Sequence, residues 1–273
     1  MNHGISTKGL LQNDVEYRSD GVGISAFMAR PDKPKEKLPA IIVVHEIFGL
    51  NDHIKDVAKR FAEEGYVVIA PDLYSRPGLP ITKEGISKTM GIMMSIPPAQ
   101  QRDPNAMKSR ISKLPVSERE EISRTMDWLR NRDYRQNVLD LSAALSYLRG
   151  QRFVDAHRIA SLGFCMGGTL SARLASSGAD LAACVIFYGE APPVGEIPEI
   201  KCPVLGIYGG EDHRITDAVP ALSKEMADKN KEFDYKIFEG AHHAFFNDTS
   251  HNYNKRAAEE AWNILLEFLH SKL

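Results

Sequence analysis

A chain of 273 residues with 43% hydrophobic side chains can build a sizeable core, and its 34 basic against 36 acidic residues leave a formal charge of −2. So even a balance, without long single-sign runs, offers no electrostatic footprint for nucleic acid or acidic lipid. No stretch approaches the roughly 20 apolar residues of a membrane-spanning helix, and the opening MNHGISTKGLLQNDVEYRSD lacks the apolar centre of a signal peptide. A cytoplasmic protein acting on a small molecule is therefore expected, with no membrane or nucleic-acid partner.

The first dozen residues read as a polar lead-in. DVEYRSD and GISAFMARP then alternate as two antiparallel strands around a turn at Asp20-Gly21. LPAIIVVHE is a continuous β-branched run, which suits a strand buried on both faces of a parallel sheet. NDHIKDVAKRFAEEG puts Ile54, Val57, Ala58 and Phe61 on one helical stripe, with Asn51 or Asp52 as cap and Gly65 as stop. YVVIAPDL repeats the buried-strand pattern, so strand, helix and strand form a βαβ unit.

The rhythm then breaks. Between about 76 and 132 the chain carries Pro77, Pro80, Pro97, Pro98, Pro104 and Pro115 among scattered methionines. The spacings Met107, Ile111, Leu114 and Ile122, Met126, Leu129 predict short amphipathic helices, the second opened by a capping box from Ser117 to Glu120. This segment is either a lid or a decorated loop. Beyond it, Tyr134, Val138, Leu141, Leu145 and Leu148 share a helix face, HRIASLGF is a strand, and a helix runs from about Met166 to Ser176. ACVIFYG, CPVLGIYGG and FDYKIFEG read as strands, DAVPALSKEMADKN and NKRAAEEAWNILLEFLHSKL as helices. The expected fold is one α/β domain over 1–273: a doubly wound, mostly parallel sheet with helices on both faces and a helical insertion at about 76–132.

The three cysteines, Cys165, Cys184 and Cys202, are odd in number and lack CxxC spacing, which argues against a disulfide framework and a zinc site. Cys184 and Cys202 belong to apolar strands and read as packed thiols. Cys165 differs, because it sits inside GFCMGG between a strand and a helix. A phosphate loop would need glycine where Cys165 stands. Gly163-x-Cys165-x-Gly167 fits instead the nucleophile elbow GxSxG with sulfur for oxygen, although a buried thiol in an ordinary turn has the same short pattern.

Partners discriminate between these readings. An α/β-hydrolase places an acid after a later strand and a histidine after the last one, and here Asp212 follows CPVLGIYGG while His242 and His243 follow FDYKIFEG. Three roles at three strand ends in the expected order favour a triad. A thiolate attacks a carbonyl, helped by the helix N-terminus behind Cys165 and a neighbouring base; the backbone N–H of Met166 would then donate to the oxyanion, with a second donor near the end of LPAIIVVHE. Glu46 in HEIFG lacks the second histidine of HExxH, so it either caps the helix near Asn51 or faces the nucleophile.

In HEIFGLN, APDLYSR, GFCMGG, GGEDHRI and GAHHAF, spread in order over about residues 15–270, the chain resembles the dienelactone hydrolases, cysteine hydrolases of the α/β-hydrolase superfamily. The resemblance implies a Cys165, Asp212, His243 triad, His242 falling on a variable position. It also implies that Glu46 keeps the resting thiol neutral and then takes its proton, that the N–H groups of Ile47 and Met166 form the oxyanion hole, and that Arg76 binds a substrate carboxylate. The family's second carboxylate-binding arginine is expected at the position of Asn247. Losing a charge-assisted bond there, worth about 1.5–3 kcal/mol, puts dienelactone itself in doubt as the substrate.

The expected activity is hydrolysis of a small carboxylic ester or lactone through an acyl-thioester, without metal or organic cofactor. The alternatives are an acyltransferase or peptidase using the same elbow, or a small-molecule binding protein that keeps the fold without turnover.

Overall fold

The computed structural model describes residues 5–7, 9–96 and 103–273. Pro97 and Pro98 of the expected insertion, and the start of the polar lead-in, lie outside them. Nine strands form one sheet: β1 (Ile5–Thr7), β2 (Leu10–Ser19), β3 (Val22–Pro31), β4 (Leu38–Val44), β5 (Val67–Pro71), β6 (Val154–Phe164), β7 (Ala183–Phe187), β8 (Val204–Gly209) and β9 (Phe233–Phe238). Their order is β1-β2-β3-β5-β4-β6-β7-β8-β9. β1, β2, β3 and β5 pair antiparallel, and all the pairs from β5 onward are parallel. This is the α/β-hydrolase arrangement.

The β2–β3 hairpin closes between Ser19 and Val22, with Asp20 and Gly21 at φ 49° and 78°, the left-handed pair that a two-residue hairpin requires. β2 starts at Leu10 and a short edge strand precedes it, so the polar lead-in is corrected: residues expected to be unpaired add to the sheet, because backbone pairing needs no apolar pattern.

β4 is buried on both faces, as its β-branched run predicts. Ile41 and Val43 pack into one core layer and Ala40, Ile42 and Val44 into the other. The first layer is covered by α1 (Asp52–Glu63) and α9 (Lys255–Lys272), the second by α5 (Tyr134–Arg149), α6 (Met166–Ser176) and α8 (Val219–Asp228). α1 is capped by Asn51, whose side chain accepts from the Ile54 N–H at 3.1 Å. That leaves no capping role for Glu46.

Among the described residues between β5 and α5 lie three further helices, α2 (Lys83–Met94), α3 (Pro104–Ile111) and α4 (Val116–Asn131). The Thr82 side chain caps α2 through the Gly85 N–H at 2.8 Å, and its hydroxyl donates to Glu121 of α4 at 2.7 Å. The capping box at Ser117 does not form. The helix begins at Val116, with Pro115 at the N-cap and no side-chain cap, so Ser117 falls in the first turn. Among the described residues there are also the four-residue α7 (His213–Thr216) and a 3-10 helix at Val194–Glu199.

Candidate active site

Because β4 and β6 through β9 run parallel, their C-terminal ends share one edge of the sheet. The chain winds from β4 outward to β5 and then crosses back to β6 on the other side of β4, which opens a crevice at that edge. Glu46 follows β4, Cys165 follows β6, Tyr188 follows β7, Asp212 follows β8 and His243 follows β9.

Cys165 stands at the top of a sharp strand-to-helix turn with φ 55° and ψ −115°, a strained conformation for a residue with a side chain. Its N–H donates to the Phe187 carbonyl at 3.0 Å and its carbonyl accepts from the Thr169 N–H at 3.1 Å, so both sides of the turn are pinned. The flanking glycines are sterically required. A Cβ on Gly163 would lie 2.0 Å from the Gly167 carbonyl oxygen, and one on Gly167 would lie 2.2 Å from the Val44 carbonyl oxygen. The thiol is half-buried at the N-terminus of an eleven-residue helix, where the helix dipole favours negative charge. Cys184 and Cys202 are buried in the core, and burial raises both thiols, Cys202 to about 12.

Asp212 Oδ2 accepts from His243 Nδ1 at 2.5 Å. The loops carrying them are tied together where the Glu211 N–H donates to the Ala241 carbonyl at 3.0 Å, and Asn252 Nδ2 donates to the His243 carbonyl at 3.0 Å. Burial alone would lower the imidazole pKa, but hydrogen bonding to Asp212 and to Cys165, with the charges of both, raises it to about 10. His242 is exposed.

Glu46 is fully buried. Burial raises its pKa from 4.5 to about 7, against the lowering effects of its hydrogen bond to Asn247, the charge of His243 and the Tyr188 hydroxyl. Asn247 Nδ2 donates to Glu46 Oε2 at 2.7 Å, while Asn247 Oδ1 accepts from both the Thr249 N–H and its hydroxyl, which fixes the orientation of the amide. Glu46 Oε1 and the Tyr188 hydroxyl are buried without well-formed hydrogen bonds. They nonetheless interact, for burial first and then the Glu46 charge hold the Tyr188 phenol well above its ordinary range.

His45 fixes the backbone beside this carboxylate. The Leu73 N–H donates to His45 Nε2 at 3.2 Å, so the ring proton is on Nδ1, which donates to the Glu46 carbonyl at 2.6 Å. Burial lowers the His45 pKa, in keeping with a neutral ring. Tyr74 donates its hydroxyl to the Ile47 carbonyl at 2.9 Å. With the carbonyls on either side of Ile47 held, its N–H finds no acceptor among the described residues. The Met166 N–H, in the first turn of α6, has no intrahelical partner either.

Cys165, His243, Glu46 and Asn247 face one cavity of about 910 Å³, roofed by apolar side chains of α2, α3 and α4. Arg76, the residue expected to bind a substrate carboxylate, is not among the residues that line it. Its guanidinium bonds Asp140 Oδ1 at 2.6 Å. Asp140 is completely buried and also accepts from the Ser19 hydroxyl at 2.6 Å. A buried carboxylate demands a counter-charge, and Arg76 is the cation within reach.

The family model for the dienelactone hydrolase family matches residues 24–273. The chain belongs to the dienelactone hydrolase family. A relative from Saccharolobus solfataricus, named "Putative carboxymethylenebutenolidase", is 39% identical over 95% of this chain and 98% of its own. One of the same name from Escherichia coli is 30% identical, covering 92% and 83%. Among solved structures, a dienelactone hydrolase homologue from Klebsiella pneumoniae superposes with a TM-score of 0.71 at 28% identity, over 96% and 98% of the two chains. As a dienelactone hydrolase family member the protein is a hydrolase.

Sequence reasoning gave the strand ends of Cys165, Asp212, His243 and Glu46, and the structure brings all four to one edge of the sheet. It overlooked Tyr188 and His45. Tyr188 was marked only by its place directly after a parallel strand in ACVIFYG, and His45 by a polar residue ending an apolar run.

Proposed function

We propose that this dienelactone hydrolase family protein hydrolyses carboxylic esters or lactones with a Cys165, His243, Asp212 triad through an acyl-thioester. The observation that carries the reading is the 2.5 Å pairing of Asp212 with His243, whose ring lines the cavity that Cys165 faces from its strained elbow. A single domain over 1–273, with 76–132 as its lid, is part of the same reading.

In the resting site Glu46 disfavours the thiolate, a like charge in a buried setting. When an ester enters, the thiol proton passes to Glu46 Oε1, the carboxylate oxygen without a hydrogen bond, and the sulfur attacks the carbonyl carbon. The N–H groups of Ile47 and Met166 stabilise the oxyanion. Collapse breaks the carbon–oxygen bond, and the leaving alkoxide departs as alcohol with a proton from His243, whose cationic form Asp212 stabilises. Water then attacks the thioester, giving up one proton to His243; the carbon–sulfur bond breaks, the carboxylic acid leaves, and Glu46 returns its proton to the Cys165 sulfur.

Cys165→Ala should abolish hydrolysis of a panel of activated esters and lactones, while Cys184→Ala and Cys202→Ala retain it. Mass spectrometry of enzyme quenched with a slow substrate should find the acyl group on Cys165. Activity surviving in Cys165→Ala would end the proposal.

A further inference from the structure

The roof of the cavity differs in character from its floor. Ile86, Met90 and Met93 of α2, Ile96 just after it, Met107 of α3 and Met126 of α4 all line the space above the thiol. Methionine is unbranched and polarisable, and fits itself to flexible or irregular apolar groups. A volume of about 910 Å³ is at the upper end of the roughly 300–1,000 Å³ that holds a drug-sized ligand, far more than a small lactone occupies.

The polar groups point the same way. The acid nearest the reaction is Glu46, buried and held by the neutral amide of Asn247. Arg76 is committed to Asp140 and lies off the cavity. Apart from His243 in the proposed triad, the described cavity wall carries Lys83, paired with Asp72 at 2.7 Å, and Arg130, exposed on α4. Beyond the His243 ring, an anionic group beside the scissile bond would therefore meet the Glu46 carboxylate and the Asn247 amide, and among the described residues the guanidinium on the wall is that of the exposed Arg130.

Resting on the hydrolase reading above, we propose that the substrates are uncharged esters whose alkyl or aryl group, well beyond the size of a small lactone, packs against the methionine-rich roof. Carboxylate-bearing lactones would be poor substrates. Selection would come from apolar burial, where each methylene enclosed can gain about fourfold in kcat/KM.

The test uses the full chain and two homologous series, 4-nitrophenyl esters of lengthening acids and acetate esters of lengthening alcohols. In at least one series kcat/KM should climb ~tenfold or more between the two-carbon and six-carbon members. The 4-nitrophenyl monoester of adipic acid, which ends in a carboxylate, should fall at least ~tenfold below the hexanoate ester. Met90→Gln and Met126→Gln, made separately and checked for folding by circular dichroism, should each reduce the hexanoate-to-acetate ratio. That ratio is internal to each variant and independent of the amount folded.

Flat series, or a preference for the adipate monoester that Arg130→Ala removes, would overturn the substrate assignment while Cys165-dependent acetate hydrolysis left the hydrolase reading standing. Absence of Cys165-dependent turnover on every ester would overturn both.

Discussion

Asn247 holds Glu46 by one hydrogen bond of 2.7 Å, and Thr249 pins the far end of the same amide. The carboxylate is thus oriented by a neutral group, and burial is left to set its ionisation near pH 7. An arginine at this position would instead hold it charged at neutral pH.

Thiol reactivity should report this. Above pH 7 ionised Glu46 opposes a thiolate on Cys165, so Glu46→Gln should be labelled by iodoacetamide faster than the unmodified protein at pH 8, by up to about tenfold. At pH 5.5, where Glu46 is already neutral, the two rates should converge. Identical ratios at both pH values would remove Glu46 from control of the nucleophile.

Stability should carry the same signature with a defined sign. A carboxyl raised from 4.5 to about 7 binds its proton more tightly in the folded chain. Its favourable contribution is complete below about 4.5 and is lost as pH rises through about 7. Glu46→Gln should therefore melt higher than the unmodified protein at pH 8, with the gap closing towards pH 4.5. Parallel melting curves across that window would contradict the raised pKa.

His45 orients the peptide whose N–H is the proposed first oxyanion donor. His45→Ala should lower kcat by about tenfold or more with KM little changed, since a misaimed donor costs stabilisation of the transition state alone. His45→Gln, which can still donate to the Glu46 carbonyl, should recover part of the loss. A rise in KM with unaltered kcat would point to the binding cavity instead.

Arg76 is read as a structural counter-ion. Arg76→Ala leaves Asp140 buried with its remaining neutral donors, Ser19 and Gln136, and should cost on the order of 1–3 kcal/mol in a denaturant titration. The kcat/KM of the folded variant for carboxylate-bearing and neutral esters should fall by equal factors or not at all. Selective loss on the carboxylate-bearing ester would restore the substrate-binding role.

Local pattern made the fold legible. β-branched runs marked β4 and β5, apolar stripes marked α1, α5 and α9, and Asn51 and the Asp20-Gly21 turn announced boundaries by chain stereochemistry alone. The elbow was equally readable, because only glycine fits at 163 and 167. The edge strand β1 escaped because its pairing is made by backbone groups, and the start of α4 was misplaced because the helix already begins at Val116, before the serine.

By itself the sequence determined which residue types stand at the ends of which strands, and in what order: a thiol, then a carboxylate, then a histidine, with Glu46 at the first strand end. Only tertiary structure decided how each is held. Glu46 and Asn247 are 201 positions apart, and Arg76 and Asp140 are 64 apart. The partner of a buried charge is set by which side chains the closed sheet and helices bring within hydrogen-bond reach, and spacing along the chain carries no record of that. The same holds for the cavity, whose methionines lie on three separate helices and become one surface only when α2, α3 and α4 pack above the thiol.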